Sequence, residues 1–242
     1  INMPLREDAP PNCAPLGPAL LAARLVQHGA DCQIVDLNSY RVPEEGRPVG
    51  RHLTTDEAIG LIRRTAHKHG EPHLVGLGGM ITTLRSQRDL ARALRREFPD
   101  AMLISGGGLA TEFRAGLFNW IPELDAIVHS EADDVILKVG LDALAASPFK
   151  RSERLNYGPK MYAGGRPADL DALPLPAWDL LDADVDGFQV LEAYIKNQIW
   201  GREANNSTAV PFSMKRSLNT VSSRGCPHAC AFCFRGSQGE RV

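Results

Sequence analysis

The sequence alternates short apolar runs with longer amphipathic segments, and this alternation restricts the fold more than any other feature. Two of the runs share one design, in which apolar residues end in glycines: His-Leu-Val-Gly-Leu-Gly-Gly at residues 73–79 and Ala-Met-Leu-Ile-Ser-Gly-Gly-Gly at residues 101–108. Continuous apolar runs of this length are typical of strands that are buried on both faces. Further short runs at residues 1–4, 32–37 and 125–129 bring the predicted strands to five.

Helical patterns fill the intervals between these runs. Residues 54–69 begin with Thr-Thr-Asp-Glu, which suits a helix N-terminus, and residues 85–98 place Leu90, Leu94 and Phe98 on one side of a charged helix. The other predicted helices span residues 15–28, 111–120 and 134–146. Strands that alternate with helices form a parallel sheet covered on both faces. The sequence therefore predicts an α/β fold at residues 1–147, a doubly wound, flavodoxin-like sheet of five strands in the order 2-1-3-4-5.

Ligands of such sheets bind beyond the carboxyl ends of the strands. Here those ends carry residues 78–83, 105–110 and 130–133. The glycines among them permit a close approach of the backbone to phosphate, to a flat macrocycle or merely to a neighbouring helix. Neither glycine run has the full phosphate-binding or dinucleotide-binding pattern. Asp133 and Asp134 begin a predicted helix, so we expect them to cap it rather than to act in acid–base chemistry.

Residues 148–214 are rich in proline and glycine and are predicted to form a linker. Apolar residues within it predict that it docks against the rest of the protein: Leu170, Leu173, Leu175, Trp178, Leu180 and Leu181. Residues 188–199 are predicted to form a short helix or strand. Residues 217–223 are predicted to be a strand that leads into a cysteine loop, within a third segment at residues 215–242.

That loop holds Cys226, Cys230 and Cys233 in a C-x3-C-x2-C run, the strongest chemical signal in the chain. Three thiolates on one short loop can ligate three corners of a four-iron cluster and leave the fourth iron open, whereas a ferredoxin-type site supplies four cysteines. Zinc is the alternative, but a closed zinc site needs a fourth ligand. His228 lies between two of the cysteines, where its ring would reach the same metal only with difficulty.

Composition narrows the class of protein further. A net charge of −2, with 43% hydrophobic and 23% charged residues, does not favour a nucleic-acid or membrane surface. Five cysteines, three of them clustered, do not resemble a disulfide framework, and a cytoplasmic, reducing location is expected. The chain opens on Ile1 and stops nine residues after Cys233, so we expect it to be a piece of a longer protein.

The lead-in Ser223-Arg224-Gly225-Cys226-Pro227, the cysteine spacing and Phe232 together resemble the radical S-adenosylmethionine (SAM) enzymes. The resemblance implies a [4Fe-4S] cluster whose open iron binds SAM, and a partial or full TIM-type barrel that begins at the cysteine segment. It also implies that Phe232 helps to seat the adenine of SAM. A ring that packs the loop onto the domain is the alternative for Phe232.

The segment upstream is similar to the cobalamin-binding domain of cobalamin-dependent radical SAM enzymes. The matching stretches are residues 15–17, 35–37, 105–110, 130–133 and the phrase Leu-Pro-Leu-Pro-Ala-Trp-Asp-Leu-Leu at 173–181. The resemblance implies the following contacts with cobalamin: backbone contacts at Gly78, Gly106 and Gly107, and hydrogen bonds from Thr82, Thr83 and Ser105. Glu131 matches a position that is commonly acidic in the family, although Ser130 replaces the glycine usual beside it. The D-x-H-x-x-G motif that ligates cobalt in many cobalamin domains is absent from the sequence, and His129 is expected to be structural.

By this resemblance the protein would transfer a methyl group to a carbon or phosphorus centre of a small-molecule or peptide substrate, and flavodoxin or ferredoxin would supply electrons. Two alternatives stay open. One is a radical SAM cyclase or rearrangement enzyme that does not use cobalamin for methyl transfer. The other is a non-catalytic corrinoid-binding or electron-transfer protein.

Overall fold

A four-stranded parallel sheet is the central element of the computed structural model, which describes residues 1–147, 150–154, 158–181, 186–196, 216, 218–221, 223–225, 228 and 230–232. In chain order the strands are β1 (Val42–Glu44), β2 (Arg47–Arg51), β3 (Leu74–Gly78), β4 (Met102–Gly106), β5 (Ala126–His129) and β6 (Lys160–Ala163). The parallel sheet has the order β3-β4-β5-β6, and β1 and β2 form a separate antiparallel hairpin.

The structure confirms three of the five predicted strands as β3, β4 and β5. The other two predicted strands contribute only isolated bridges, because Asn2 pairs in parallel with Asp36 on one side and with Gly78 on the other. The hydrogen bonds are those of a short parallel ladder: the Asn2 amide donates to the Val35 carbonyl at 2.9 Å, and the Gly78 amide donates to the Ile1 carbonyl at 3.0 Å. The five-stranded sheet is therefore found only in part.

The helices are α1 (Leu16–Gln27), α2 (Thr55–His69), α3 (Leu84–Glu97), α4 (Gly108–Phe113), α5 (Leu117–Trp120), α6 (Val135–Ala146), α7 (Arg151–Arg154) and α8 (Val190–Lys196). The predictions for α1, α2, α3 and α6 are confirmed to within two residues. The single helix predicted at residues 111–120 is wrong. Arg114 has φ 45°, a conformation unfavourable for a non-glycine residue, and a 3-10 turn at Arg114–Gly116 separates α4 from α5.

Apolar side chains alternate between the two faces of the sheet, as the two-residue period of a strand requires. Val75, Leu77 and Leu103 face one core, where residues of α2, α3 and α5 pack. Met102 and Ile104 face the second core, where α6 and the partly buried side of α1 pack. The sheet is thus covered on both faces, as predicted for a doubly wound fold.

The predicted linker contributes regular structure to this sheet and its surroundings. Strand β6 pairs in parallel with β5, and the Ile34 amide donates to the Leu180 carbonyl at 3.1 Å. A third core then joins α1 to a 3-10 turn at Trp178–Leu181 and to α8. The predicted docking is confirmed for Leu181, which is buried, but not for Leu175, which is 88% exposed.

The strand predicted at residues 217–223 is not present at residues 218–221 or 223, the part of it that the structure describes. None of the helices in the described ranges has both the length and the apolar character needed to cross a bilayer.

Candidate functional site

The carboxyl ends of β3, β4 and β5 meet at one edge of the sheet, which we call the carboxyl edge. Gly78 ends β3, Gly106 ends β4 and His129 ends β5. These strand ends and the loops that follow them carry all the predicted cobalamin contacts. The sheet therefore brings Gly78, Gly106, Gly107 and Glu131 to the same edge.

The glycine loops after β3 and β4 pack directly against each other. The Leu109 amide donates to the Gly79 carbonyl at 3.2 Å, and a Cβ added at Gly107 would lie 3.1 Å from the same oxygen. Gly107 also has φ 78°, a conformation that favours glycine. Of the three partners predicted for a close backbone approach, the structure shows the neighbouring helix, because Leu109 lies in the first turn of α4. Gly107 and Gly108 nevertheless stay exposed on their outer side.

Two of the predicted hydroxyl contacts lie beneath the surface of the edge. Thr83 is 1% exposed and donates to the Met80 carbonyl at 2.8 Å, while Ser105 is fully buried and donates to Gln87 Oε1 at 3.0 Å. Gln87 Nε2 in turn donates to Thr83 Oγ1 at 3.2 Å. Because both hydroxyls are buried and already donate their only proton, neither reaches a ligand on the surface in this structure, and both support the loops from below.

The residues beside Thr83 are the ones that reach solvent. Thr82 is exposed, and Met80 and Ile81 are 51% and 56% exposed, which is unusual for such apolar side chains next to a sheet edge. Large exposed apolar groups at one place mark surfaces that another group can cover. This loop therefore offers an apolar face with one hydroxyl beside the exposed glycines.

The turn after β5 forms although Ser130 replaces the usual glycine. Ser130 has φ 67°, and its amide donates to Thr111 Oγ1 at 3.0 Å. Thr111 Oγ1 donates in turn to the Gly107 carbonyl at 2.9 Å, so the loops after β4 and β5 are joined. His129 Nδ1 lies 3.3 Å from Ser130 Oγ, and burial, with the nearby Arg114 charge, lowers the pKa of His129.

The described residues contain no group of three or more histidine, cysteine or carboxylate side chains that could hold a metal ion. The structural role expected of His129 stays a prediction.

The carboxylates after β5 bind an arginine from the lead-in of the cysteine run. Arg224 Nη1 lies 2.7 Å from Asp133 Oδ2, and its Nη2 lies 3.0 Å from Asp133 Oδ1. Nη1 also donates to Glu131 Oε2 at 3.0 Å. We call Arg224, Asp133 and Glu131 the Arg224 cluster. Its hydrogen bonds, that to Asp133 first, raise the pKa of Arg224.

Asp133 and Asp134 lie at the N-terminus of α6, as predicted, but the expected side-chain capping bond is not found. Asp134 occupies the N-cap position of α6 without a side-chain capping bond and instead lies 3.5 Å from Arg24. Asp133 is buried, and its carboxylate accepts from Arg224 instead. No sequence signal pointed to this pairing, because the partners are 91 residues apart.

Of the predicted cluster ligands, Cys230 is described, and its thiol is free and exposed. Cys226 and Cys233 lie outside the described residues. The ring of Phe232 is 92% exposed, so it does not pack the loop onto the domain, and its predicted contact with adenine stays a prediction. Three thiols on one loop fit the chemistry of an iron–sulfur cluster.

A cleft also lies at the opposite edge of the sheet, at the amino ends of β3 and β4. It is lined by His73, Phe98, Asp100 and Ser147, together with neighbouring loop residues. Open parallel sheets bind ligands at their carboxyl ends, so we place the candidate site at the carboxyl edge.

No protein-family model matches the chain. An uncharacterised methyltransferase of Pyrococcus horikoshii is 23% identical over 243 aligned positions, which cover 94% of this chain and 44% of that protein. A 2-(S-pantetheinyl)-carbapenam-3-carboxylate methyltransferase of Streptantibioticus cattleyicolor is 24% identical over 174 positions, 69% of this chain and 22% of that protein. The chain thus spans less than half the length of either relative.

Among solved structures, the N-terminal domain of a hypothetical protein of Thermotoga maritima aligns with a TM-score of 0.34 and 16% identity. The alignment covers 60% of this chain and 88% of that domain.

Proposed function

We propose that the chain is the N-terminal part of a methyltransferase that uses a [4Fe-4S] cluster, SAM and cobalamin. The observation that carries the proposal is the docking of the lead-in of the cysteine run onto the carboxyl edge. This edge is where an α/β sheet of this kind binds its ligand. The residues that would hold a cluster and those that would hold a cobalamin therefore belong to segments that meet at this edge.

The comparisons support methyl transfer as the reaction class. Both curated relatives are methyltransferases by name, and one of them aligns with nearly the whole chain. The cysteine spacing and the resemblance to radical SAM enzymes support the finer assignment, in which the methyl group goes to an unactivated carbon or to phosphorus. When bound, SAM and the cluster would supply the radical and cobalamin would carry the methyl group.

The residues present fit these groups in distinct ways. Cys226, Cys230 and Cys233 would hold the cluster and leave one iron for SAM. The exposed outer side of Gly107, with the exposed apolar side chains of Met80 and Ile81, offers a surface for a corrinoid. Of the three predicted hydroxyl contacts, Thr82 is exposed and could reach such a ligand, whereas Thr83 and Ser105 are buried.

Glu131 and Asp133 would not serve as a general acid and base, because Arg224 already occupies both carboxylates. The electron donor would be a flavodoxin or a ferredoxin, and the substrate a small molecule or a peptide. A cytoplasmic location belongs to the same proposal.

Anaerobic reconstitution of the full-length protein with iron, sulfide and hydroxocobalamin tests the assignment. We expect four irons and one cobalamin per chain, from iron analysis and visible spectra. Cys230→Ser should reduce the bound iron, whereas the matched variants Cys13→Ser and Cys32→Ser, which change the free thiols of the α/β domain, should not. Bound zinc without iron would contradict the cluster assignment. A cluster without cobalamin would contradict the corrinoid assignment and favour a cyclase or rearrangement enzyme.

A further inference from the structure

The Arg224 cluster joins two parts of the chain that are far apart in sequence. Arg224 lies two residues before Cys226, and its partners lie in the turn after β5, 91 and 93 residues earlier. We propose that Arg224 is a positioning residue that fixes the cysteine run against the carboxyl edge through Asp133 and Glu131. The role of this contact in aligning two cofactors rests on the proposed function, whereas the contact itself involves only described residues.

The geometry of the cluster is that of a strong ion pair. Arg224 binds Asp133 through two parallel hydrogen bonds, an arrangement that adds direction as well as energy to the charge attraction. The side chains of Arg224 and Asp133 are 22% and 9% exposed, so solvent screens them less than a surface pair. The pair of Arg216 with Glu192 is more open, with Arg216 58% exposed, and exposed pairs contribute little.

The carboxylates of the cluster are themselves held in place. Ser130, beside Glu131, is bound to Thr111, and the Gly164 amide donates to the His129 carbonyl at 2.9 Å. Arg166 lies 3.8 Å from Glu131 and adds a second positive charge from the segment after β6. Arg224 therefore binds to a fixed feature of the sheet and not to a free loop.

Only Gly225 separates Arg224 from Cys226, the first cysteine of the run. Gly225 has φ 93°, a conformation that favours glycine. Arg224→Lys would keep the positive charge but lose the two parallel hydrogen bonds. Its effect therefore shows how much of the docking depends on hydrogen-bond geometry and how much on charge alone.

A second contact from the same segment supports the docking. Asn219 Oδ1 accepts a hydrogen bond of 2.9 Å from the Ala14 amide, in the loop that leads into α1. That loop follows the bridging segment at Asn2 and lies beyond the carboxyl end of that segment. Residues 219 and 224 therefore contact two different loops at the carboxyl edge of the sheet.

The test uses the full-length protein and amide hydrogen exchange, which needs no cofactor. Arg224→Gln and Asp133→Asn should each raise exchange about tenfold, both at residues 128–134 and at residues 223–225, since a charged hydrogen-bonded pair is lost. Because Arg224→Gln already removes every bond of the cluster, the double variant should exchange no faster than Arg224→Gln. Arg216→Gln is the matched control and should leave both segments at the wild-type rate.

An unchanged exchange rate at residues 128–134 in Arg224→Gln would overturn the proposal. So would a double variant whose increase in exchange rate equals the product of the two single increases. Where Arg224→Gln does not fold, Arg224→Lys is compared with wild type instead, and a smaller increase in the exchange rate is expected.

A second measurement reports the position of the cysteine run, whereas hydrogen exchange reports how well the segment is ordered. If wild type binds both cofactors, pulsed EPR should give a narrow distance distribution between the reduced cluster and cob(II)alamin, and Arg224→Gln should broaden it. An unchanged distribution would contradict the positioning role. Wild type that shows the exchange coupling but binds no cobalamin would instead contradict the proposed function and leave the contact standing.

Discussion

Single residues at the carboxyl edge are constrained by the backbone of neighbouring loops. Gly164 is the clearest case, because a Cβ added there would lie 1.8 Å from the Glu131 carbonyl oxygen, which is backbone and cannot rotate away. Gly164→Ala should lower the free energy of unfolding by roughly 1–3 kcal/mol, the range of overpacking changes. Gly165→Ala, at a glycine whose added Cβ meets nothing within 4 Å, is the matched control and should stay close to wild type.

Chemical denaturation measures both alanine variants. The variant at 164 should also weaken the Arg224 cluster, because relief of the clash moves Glu131, which accepts from Arg224. Equal stability of the two variants would show that the turn after β5 shifts at no cost, and it would contradict this account of the edge.

The residue scale is also where sequence-based prediction of the site was weakest. The sequence predicts which polar residues follow the strands, but it does not show that Thr83 and Ser105 lie under the surface. Both buried hydroxyls form hydrogen bonds with the side-chain amide of Gln87, which lies in α3. The signal was present, since Gln87 shares helical spacing with the inward residues Leu90 and Leu94, but an inward glutamine has no distinctive motif.

At the scale of elements, α2 has hydrogen bonds at its N-terminus that the sequence itself specifies. Thr54 accepts from the Glu57 amide, and the Glu57 side chain accepts from the Thr54 amide, which forms a full capping box. Thr54→Ala should lower the free energy of unfolding by about 1 kcal/mol. Thr55→Ala, one residue further on, removes no capping bond and is the control.

The capping box also predicts a pH dependence. The hydrogen bond with Arg51, followed by that with the Thr54 amide, lowers the pKa of Glu57 to about 2 from an ordinary value of 4.5. A lowered pKa means that the stabilisation is present above pH 4.5 and is lost as the pH falls towards 2. Glu57→Gln should therefore be less stable than wild type near neutral pH, with the difference shrinking in acid. A difference that does not change between pH 5 and pH 2 would contradict the assignment.

Elements without an apolar pattern were the ones that the sequence did not predict. Strand β6 lies at the end of the parallel sheet, only Tyr162 of its four residues is buried, and its apolar run, from Met161 to Ala163, is three residues long. In the hairpin of β1 and β2 only Gly50 is buried. The strands that were predicted correctly are buried on both faces, and their apolar character comes directly from that burial.

At the scale of the whole molecule, buried polar contacts tie the predicted linker to the sheet. Tyr194 in α8 donates to Asp36 Oδ2 at 2.6 Å, and Asn2 Nδ2 donates to Asp36 Oδ1 at 2.7 Å. Asp36 is 1% exposed and lies in the predicted strand at residues 32–37. The sequence placed Asp36 in a strand but could not supply its partner, since Tyr194 is 158 residues away.

This contact predicts how linker docking depends on pH. Burial raises the pKa of Asp36 above its ordinary value of 3.8, although the hydrogen bonds from Tyr194 and Asn2 oppose the shift. A raised pKa means that the full contribution to stability is present below pH 3.8 and is lost as the pH rises through the higher value of the folded state. Asp36→Asn removes the titration, so the stability of wild type relative to this variant should fall as the pH rises.

Denaturation of wild type and Asp36→Asn between pH 3 and pH 8 measures the difference, and Tyr194→Phe provides the matched comparison. Loss of the Tyr194 hydroxyl removes a bond that lowers the pKa of Asp36, so the window should move to higher pH. A difference independent of pH would contradict the raised pKa of Asp36. A window that moves to higher pH in Tyr194→Phe would show that the Tyr194 hydroxyl bonds the Asp36 carboxylate in the folded protein and so helps to hold α8 against the sheet.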